Sequence, residues 1–315
     1  MTLDLFRYQA QYNEVYAHFV RYLGIDPMQI QELEDIPFLP ISLFKTQKIL
    51  TKLPTAQNEM PIQQVFTSSG TTQSTVSQHF VVEEQLYLRS CMTAFEQFYG
   101  NIADYCVLAL LPSYLERQGS SLVFMVNHWI ERSEHKKRGF YLHNYAALAK
   151  TLTELEQKQQ KTLLIGVSYA LWDLAEQFPT PLKHTIVMET GGMKGKRKEL
   201  LRTDLHQIFQ DAFGVQNIHS EYGMTELLSQ AYSKGQGIFR CPKWMKVMTR
   251  DLSDPLQSLP PQQTGAINII DLANRHSCAF IATNDLGKTY ADGSFEILGR
   301  MDYSDIRGCN LMVNY

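Results

Sequence analysis

The residues best equipped for chemistry are Ser220-Glu221-Tyr222-Gly223-Met224-Thr225-Glu226, which follow a short apolar run that reads as a strand. They bring together an aromatic ring, a glycine, a hydroxyl and a carboxylate. A ring can stack on a base, glycine lets backbone approach a phosphate, threonine donates to phosphate oxygens, and glutamate can hold Mg²⁺. A strand end followed by a polar turn has the same composition, so these residues alone leave both readings open. A second stretch, Thr67-Ser68-Ser69-Gly70-Thr71-Thr72-Gln73-Ser74, gathers hydroxyls around one glycine. It can present several N–H and O–H donors to an oxyanion, or it can be a solvated loop. No G-K-[ST] follows, so it is not a Walker A loop.

In this order the two stretches resemble the phosphate loop and the Y-G-x-T-E motif of the adenylate-forming (acyl-CoA synthetase-like) superfamily. Pro37-Phe38-Leu39-Pro40-Ile41-Ser42-Leu43-Phe44-Lys45, Leu111-Pro112-Ser113-Tyr114-Leu115-Glu116-Arg117 and Thr190-Gly191-Gly192-Met193-Lys194 are similar to its acyl-protein synthetase branch, the bioluminescence fatty-acid ligases. The resemblance covers nearly the whole chain. It implies ATP- and Mg²⁺-dependent activation of a carboxylic, expectedly fatty, acid to an acyl-adenylate. The acyl group would then pass to a protein cysteine thiol and on to an acyl reductase or another acceptor protein.

The resemblance also implies roles residue by residue. Thr67, Ser68, Ser69, Gly70, Thr71 and Thr72 would grip the departing phosphates. Gly191 and Gly192 would lie along the adenine, Tyr222 would stack on it beside Gly223, Thr225 would touch the α-phosphate, and Glu226 would serve the metal. A tight strand-to-helix turn accounts equally for the paired glycines. Asp285, in Thr283-Asn284-Asp285-Leu286-Gly287, would take the ribose hydroxyls. Arg300, in Gly299-Arg300-Met301-Asp302, would reach ribose or phosphate, with Asp302 at a hinge.

The chain departs from the family at several points. The usual T-G-x-P-K continuation of the phosphate loop reads Thr72-Gln73-Ser74-Thr75-Val76, without the second glycine, the proline or the lysine. The chain stops at Tyr315, before the family's lid domain of ~100 residues, so either that domain is cut off here or, as the resemblance implies, this branch works without it. With no distinct CoA signature, this favours an acyl-protein synthetase over an acyl-CoA ligase of the phenylacetate-CoA ligase type. The resemblance implies an acyl-carrying cysteine near the C-terminus, and Cys309, which follows Gly308 and has Arg307 nearby to favour thiolate, is the candidate. A catalytically silent nucleotide- or acyl-binding subunit is the alternative outside enzymology.

These motifs need a scaffold. Apolar positions at Tyr12, Val15, Tyr16, Phe19, Val20 and Leu23, closed by Gly24, predict one amphipathic helix near 4–23. The two prolines of IPFLPISLF predict an extended connector. Strands at Val65–Phe66 and Gln78–Val82 should flank the hydroxyl-rich loop. Strands at Tyr105–Leu111, Thr162–Val167 and His184–Met188 alternate with helices after Glu83, after Ser120, at Tyr145–Gln160, Tyr169–Gln177 and Lys196–Phe213. That alternation predicts a mainly parallel, helix-covered sheet. From residue 237 onward, short β runs at Ile238–Arg240, Lys246–Met248, Ala266–Ile270, Ala279–Thr283 and Ser294–Leu298 predict an antiparallel β subdomain. The expected organisation is mixed α/β: an N-terminal helix and connector over 1–50, an α/β adenylation core over 51–236, and the β subdomain with a short tail over 237–315.

With 315 residues and 44% apolar content, the chain can bury a sizeable core. A net charge of −3 gives no electrostatic argument for nucleic acid. There is no transmembrane run, and the start Met1-Thr2-Leu3-Asp4 does not open a signal peptide. Five scattered cysteines without C-x-x-C spacing exclude a disulfide framework, so a cytoplasmic setting is expected. His128, His143 and His219 lack partner spacing and read as structural. The basic run Lys194, Lys196, Arg197 and Lys198 reads as solvated.

Overall fold

The structure, a computed structural model, describes residues 1–53, 60–68, 75–111, 119–192, 197–198 and 200–301. The expectations placed on Ser69, Gly70, Thr71, Thr72, Pro112–Arg117, Met193, Lys194, Lys196, Asp302 and Cys309 lie outside the described residues.

The chain begins with helices α1 (Thr2–Tyr12) and α2 (Glu14–Tyr22), followed by the short strand β1 (Leu39–Pro40), a 3₁₀ helix Ile41–Lys45, and the hairpin strands β2 (Gln64–Thr67) and β3 (Gln78–Val81). The α/β part runs α3 (Glu84–Tyr99), β4 (Cys106–Leu110), α4 (Ser121–Arg132), β5 (Gly139–Phe140), α5 (Tyr145–Gln157), β6 (Thr162–Val167), α6 (Ser168–Gln177), β7 (Thr185–Thr190), α7 (Arg202–Phe213) and β8 (His219–Tyr222). Seven further strands follow: β9 (Ala231–Ser233), β10 (Ile238–Arg240), β11 (Met245–Arg250), β12 (Ser258–Leu259), β13 (Thr264–Asp271), β14 (Phe280–Thr289) and β15 (Phe295–Arg300).

Among the described residues one sheet has the order β12-β11-β13-β14-β15-β10-β9-β8-β7-β6-β4-β5, with β1 alongside β14. Pairings from β5 through β8 are parallel, and those from β8 through β12 are antiparallel. Central strands β4 and β6 are buried at every position, as expected of strands covered by helices on both faces. The mixed α/β architecture read from the sequence is thus present. One apolar cluster fills the parallel half around Phe95, Trp129 and Leu164. A second forms around Phe280, where Phe6 of α1 meets it edge-on at 5.9 Å and Tyr16 of α2 stacks at 6.0 Å.

Four elements differ from the sequence expectation, the first being the IPFLPISLF connector, which is not extended throughout but closes in the 3₁₀ helix Ile41–Lys45. The single N-terminal helix is split at Asn13, which is fully buried and extended (φ −104°, ψ 109°). Its Oδ1 caps α2 by accepting from the Tyr16 N–H, while its Nδ2 donates to the Ser277 carbonyl at 2.8 Å. A buried amide with tertiary partners outweighs helical continuity here. The helix expected from Lys196 starts only at Arg202, because Leu201 is extended and caps it, and Leu200 and Leu201 line a cavity instead. The strand expected to end at Thr283 runs on to Thr289, so TNDLG lies within β14, with a register shift between Leu286 and Gly287.

Behind the Tyr222–Glu226 motif lies Asp271, at the end of β13 and fully buried. It accepts the Leu228 N–H at 2.8 Å, the Ser229 hydroxyl at 2.6 Å and the Ala273 N–H at 3.1 Å. Replacing Asp271 with alanine strands buried donors. We expect Asp271→Ala to lower unfolding free energy by about 2–4 kcal/mol, read as a drop in urea midpoint. A midpoint unchanged at constant slope would remove Asp271 from this role.

Candidate active site

Four elements of the chain end on one cavity of about 970 Å³. The β2–β3 hairpin brings Thr67 and Ser68, and its ladder continues one step, with Ser68 Oγ accepting the Ser77 N–H at 2.9 Å. The parallel strands β7 and β8 bring Gly191, Gly192 and Tyr222 to their C-terminal ends, where open α/β sheets form their ligand crevices. Beyond β8 come Gly223, Thr225 and Glu226, and the paired strands β14 and β15 bring Asp285 and Arg300. All ten described residues expected from the sequence to serve nucleotide or metal line this cavity: Thr67, Ser68, Gly191, Gly192, Tyr222, Gly223, Thr225, Glu226, Asp285 and Arg300.

Local geometry explains several residue types. Gly191 has φ +68°, a left-handed conformation open to glycine. A Cβ on Gly192 would meet nothing within 4 Å, so this backbone faces open cavity. At Gly223 a Cβ would lie 2.5 Å from Glu221 Oε1. Asp285 sits directly opposite Arg300 in the β14–β15 ladder. Its Oδ2 accepts the Tyr222 hydroxyl at 2.7 Å, while its Oδ1 has no hydrogen bond among the described residues. The Tyr222 ring lies between Phe239 at 5.9 Å and Phe295 at 5.7 Å, and the Arg202 guanidinium rests over Phe239.

The carboxylates are unusual in their burial. Burial pushes the Glu226 carboxyl upward, against the Ser77 hydroxyl and the Arg300 charge that favour ionisation. Asp285 is likewise raised by burial, against its Tyr222 hydrogen bond and Arg300. The backbone at Thr225 and Glu226 is pinned: His79 Nδ1 meets the Thr225 carbonyl at 2.8 Å, and Asn274 Nδ2 donates to the Glu226 carbonyl at 2.8 Å. The described residues contain no cluster of three or more acidic, His or Cys side chains able to hold a metal alone. A Mg²⁺ at Glu226 would therefore take its other oxygens from phosphates and water, which is this ion's usual habit.

The sequence reading missed several residues of this site. Glu189, at the end of β7, accepts the Ser168 and Ser220 hydroxyls at 2.8 Å each and lies 3.6 Å from Arg202 and 3.5 Å from His206. Burial opposes its ionisation, but His206 and Arg202 hold it below the usual carboxylate range. Glu221 takes the Thr190 hydroxyl, and burial, with Glu189 nearby, raises its carboxyl to about 7. Lys45 also lines the cavity, and Phe44 beside it packs edge-on against His79 at 5.8 Å. No motif flags Glu189; Lys45 ends the Pro37–Lys45 run, and Glu221 lies inside the Ser220–Glu226 stretch, but neither carried an assigned role. His128, His143 and His219 stay outside the cavity lining. No described helix is long and apolar enough to cross a membrane.

Glu221 makes a signed prediction. Its folded carboxyl is raised from 4.5 to about 7, so its contribution to stability is complete below pH 4.5 and lost as pH rises through 7. Glutamine does not titrate. The stability of Glu221→Gln relative to wild type should therefore improve between pH 5 and pH 8, by on the order of 1–3 kcal/mol. Parallel melting curves at the two pH values test this, and a pH-independent difference would contradict it.

Comparison with known proteins follows the same lines. Residues 1–115 match the family model described as acyl-protein synthetase, LuxE. A long-chain-fatty-acid–luciferin-component ligase of Photorhabdus luminescens is 38% identical over 71 residues, 22% of this chain and 56% of that protein. The ligase of the same name from Vibrio harveyi is 21% identical across 98% of this chain and 85% of its own length. Among solved structures, 2-hydroxyisobutyryl-CoA ligase with 2-HIB-AMP and CoA superposes with a TM-score of 0.68 at 13% identity, covering 96% of this chain and 73% of the other. ATP-bound MatB from Rhodopseudomonas palustris gives 0.57 at 16% identity, covering 79% of this chain. The chain spans about half the length of the MatB structures and 56% of the Photorhabdus ligase. Over residues 1–115 this chain is thus similar to the LuxE acyl-protein synthetases, and its fold is the one seen in 2-hydroxyisobutyryl-CoA ligase and MatB.

Proposed function

We propose that this chain uses ATP to convert a carboxylic acid to an acyl-adenylate and then passes the acyl group to a protein thiol. The observation that carries this reading is the convergence of Thr67, Ser68, the paired glycines, the Tyr222–Asp285 pair, Glu226 and Arg300 on a single cavity. In the first step a carboxylate oxygen bonds the α-phosphorus and pyrophosphate leaves. In the second a thiolate attacks the acyl carbonyl carbon and AMP leaves. Two anions must meet in the first step, so the site's work is positioning and charge neutralisation.

Each group has a place in that work. Thr67 and Ser68 donate toward the departing phosphates. Tyr222 offers its ring to the base, and Gly191 and Gly192 let backbone lie close to it. Asp285 Oδ1 is free to accept a ribose hydroxyl, and Arg300 lies across the ladder from it. Thr225 and Glu226 face the phosphates on a backbone pinned by His79 and Asn274. Mg²⁺, when bound at Glu226, would neutralise phosphate charge that a buried carboxylate otherwise repels. The relatives named above are ligases of long-chain fatty acids, and a fatty chain is the first acid to try here.

The raised thiols of the described cysteines support a carrier elsewhere. Burial pushes Cys91, Cys106, Cys241 and Cys278 up to about 12, which suppresses the nucleophilic thiolate. Cys309, beside Arg307 in the sequence, is the proposed carrier, and an acyl reductase the proposed recipient.

Two experiments test this reading. Acid-dependent exchange of pyrophosphate into ATP should be present in the wild type and reduced at least about a hundredfold in Glu226→Gln. Near wild-type exchange in that variant would remove Glu226 from the phosphate chemistry. With ATP, Mg²⁺ and the activated acid, the protein should form an adduct cleaved by neutral hydroxylamine. Cys309→Ser should lose that adduct and keep the exchange. An adduct persisting in the serine variant would place the carrier on another residue.

A further inference from the structure

One end of the cavity lies between the ends of β7, β8 and β9 and the helices α3 and α4, where Tyr87, Leu122 and Met125 form largely apolar walls. Its floor is polar. Along β8 successive side chains alternate: Ser220 turns to Glu189, while Glu221 turns to the face shared with Thr190 and Tyr87. Gln230 stands one step past the last paired register, Tyr222 with Ala231, which sets it across from Gly223. A Cβ at Gly223 would lie 2.5 Å from Glu221 Oε1 and 3.2 Å from Gln230 Cγ, so the two side chains converge on one point of the wall.

Both are short of partners. Glu221 Oε2 takes the Thr190 hydroxyl, but Oε1 has no hydrogen bond among the described residues. Gln230 is only 4% exposed, its Oε1 is sealed from solvent without a partner, and its amide makes no hydrogen bond among the described residues. Tyr87 offers nothing to them, since its hydroxyl is spent on the Ser121 carbonyl at 3.0 Å. A plain alkyl chain filling this end would displace water and leave a carboxylate oxygen and an amide buried and unpaired. That costs about 1–3 kcal/mol for each group.

We propose that Glu221 Oε1, with the Gln230 amide beside it, forms a specificity subsite for a hydrogen-bond donor, a hydroxyl or an ammonium group, carried on the chain of the acid substrate; a hydroxyl can in addition accept from the Gln230 amide. This inference rests on the adenylation reading above and narrows its substrate to hydroxy- or amino-substituted carboxylic acids. A site built to pair a substrate O–H or N–H rejects the analogue that lacks it far more strongly than an apolar pocket rejects a methylene. The ammonium arm adds charge pairing with the carboxylate, whereas the hydroxyl arm needs only an acceptor.

The test is pyrophosphate exchange with length-matched sets of unsubstituted, hydroxyl-substituted and amino-substituted acids, the substituent placed at successive carbons. At one position a donor-bearing acid should exceed its unsubstituted partner in kcat/KM by at least about tenfold. Glu221→Leu should reverse that preference. Glu221→Gln should keep a hydroxyl preference and lose an ammonium one. Where the leucine variant does not fold, Gln230→Leu together with Glu221→Gln carries the comparison, and a loss of preference is expected in one or both. Unsubstituted acids that match or exceed every substituted partner would overturn the subsite while leaving adenylation intact. So would a preference that survives both folded variants. If no acid supports exchange or raises the melting temperature with ATP, adenylation itself fails and the subsite falls with it.

Discussion

Everything at the site depends on the buried carboxylate of Asp271. It gathers the backbone N–H of Leu228, the hydroxyl of Ser229 and the N–H of Ala273, tying the loop after Glu226 to the end of β13. Trp244 Nε1 and Ser90 close on the same Ser229 hydroxyl at 2.9 and 3.0 Å. Asn274 and His79 then hold the carbonyls of Glu226 and Thr225. Buried polar networks of this kind are costly when incomplete, so they persist in one arrangement. The N-terminal helices support it from behind: Gln9 Nε2 donates to the Asn274 carbonyl at 3.0 Å and to the Ser277 carbonyl at 3.2 Å, and its Oε1 accepts from Ala279. Helices with no chemistry of their own thus fix the segment that fixes the motif.

The sequence made the architecture legible where periodicity and punctuation agree. Ser120 caps α4, Gly214 ends α7 at φ +64°, and the buried apolar runs of β4 and β6 are strands. It misled where one buried polar residue has distant partners. Asn13 looks like an ordinary helix residue until Ser277, far away in sequence, supplies its acceptor. The extension of β14 through Asn284 and Asp285 has a similar cause. Local composition reads TNDLG as a turn, but β15 pairs with Asp285 and Leu286 and β13 with Leu286 and Gly287, which carries the strand across a register shift at this point.

The site was legible as a set of motifs and illegible as a network. Tyr222, Asp285 and Arg300 carry recognisable contexts, yet nothing local says that the Tyr222 hydroxyl bonds Asp285 or that Asp285 faces Arg300. Glu189 and Glu221 belong to no spacing rule, because parallel pairing of β7 with β8 creates their relationship. Phe44 is another such case: its contact with His79 places a connector beside the β2–β3 hairpin, where proline content alone describes it only as extended.

Charge distribution is the last constraint. Glu189, Glu221, Glu226 and Asp285 all line the cavity, so its carboxylates outnumber the described cations on its wall, Lys45, Arg202 and Arg300. Arg202 is committed to Glu189 and to the Phe239 ring, and Arg300 stands opposite Asp285. A polyanion entering such a space meets carboxylates already raised by burial, and each further negative charge raises them more. Binding therefore has to be coupled either to proton uptake or to a cation arriving with the ligand. Under the proposed function, a divalent ion carried by phosphates would do the second at the Glu226 end. At the Glu221 end, where burial raises the carboxyl to about 7, a donor group on the proposed ligand would do the first task's work without moving a proton.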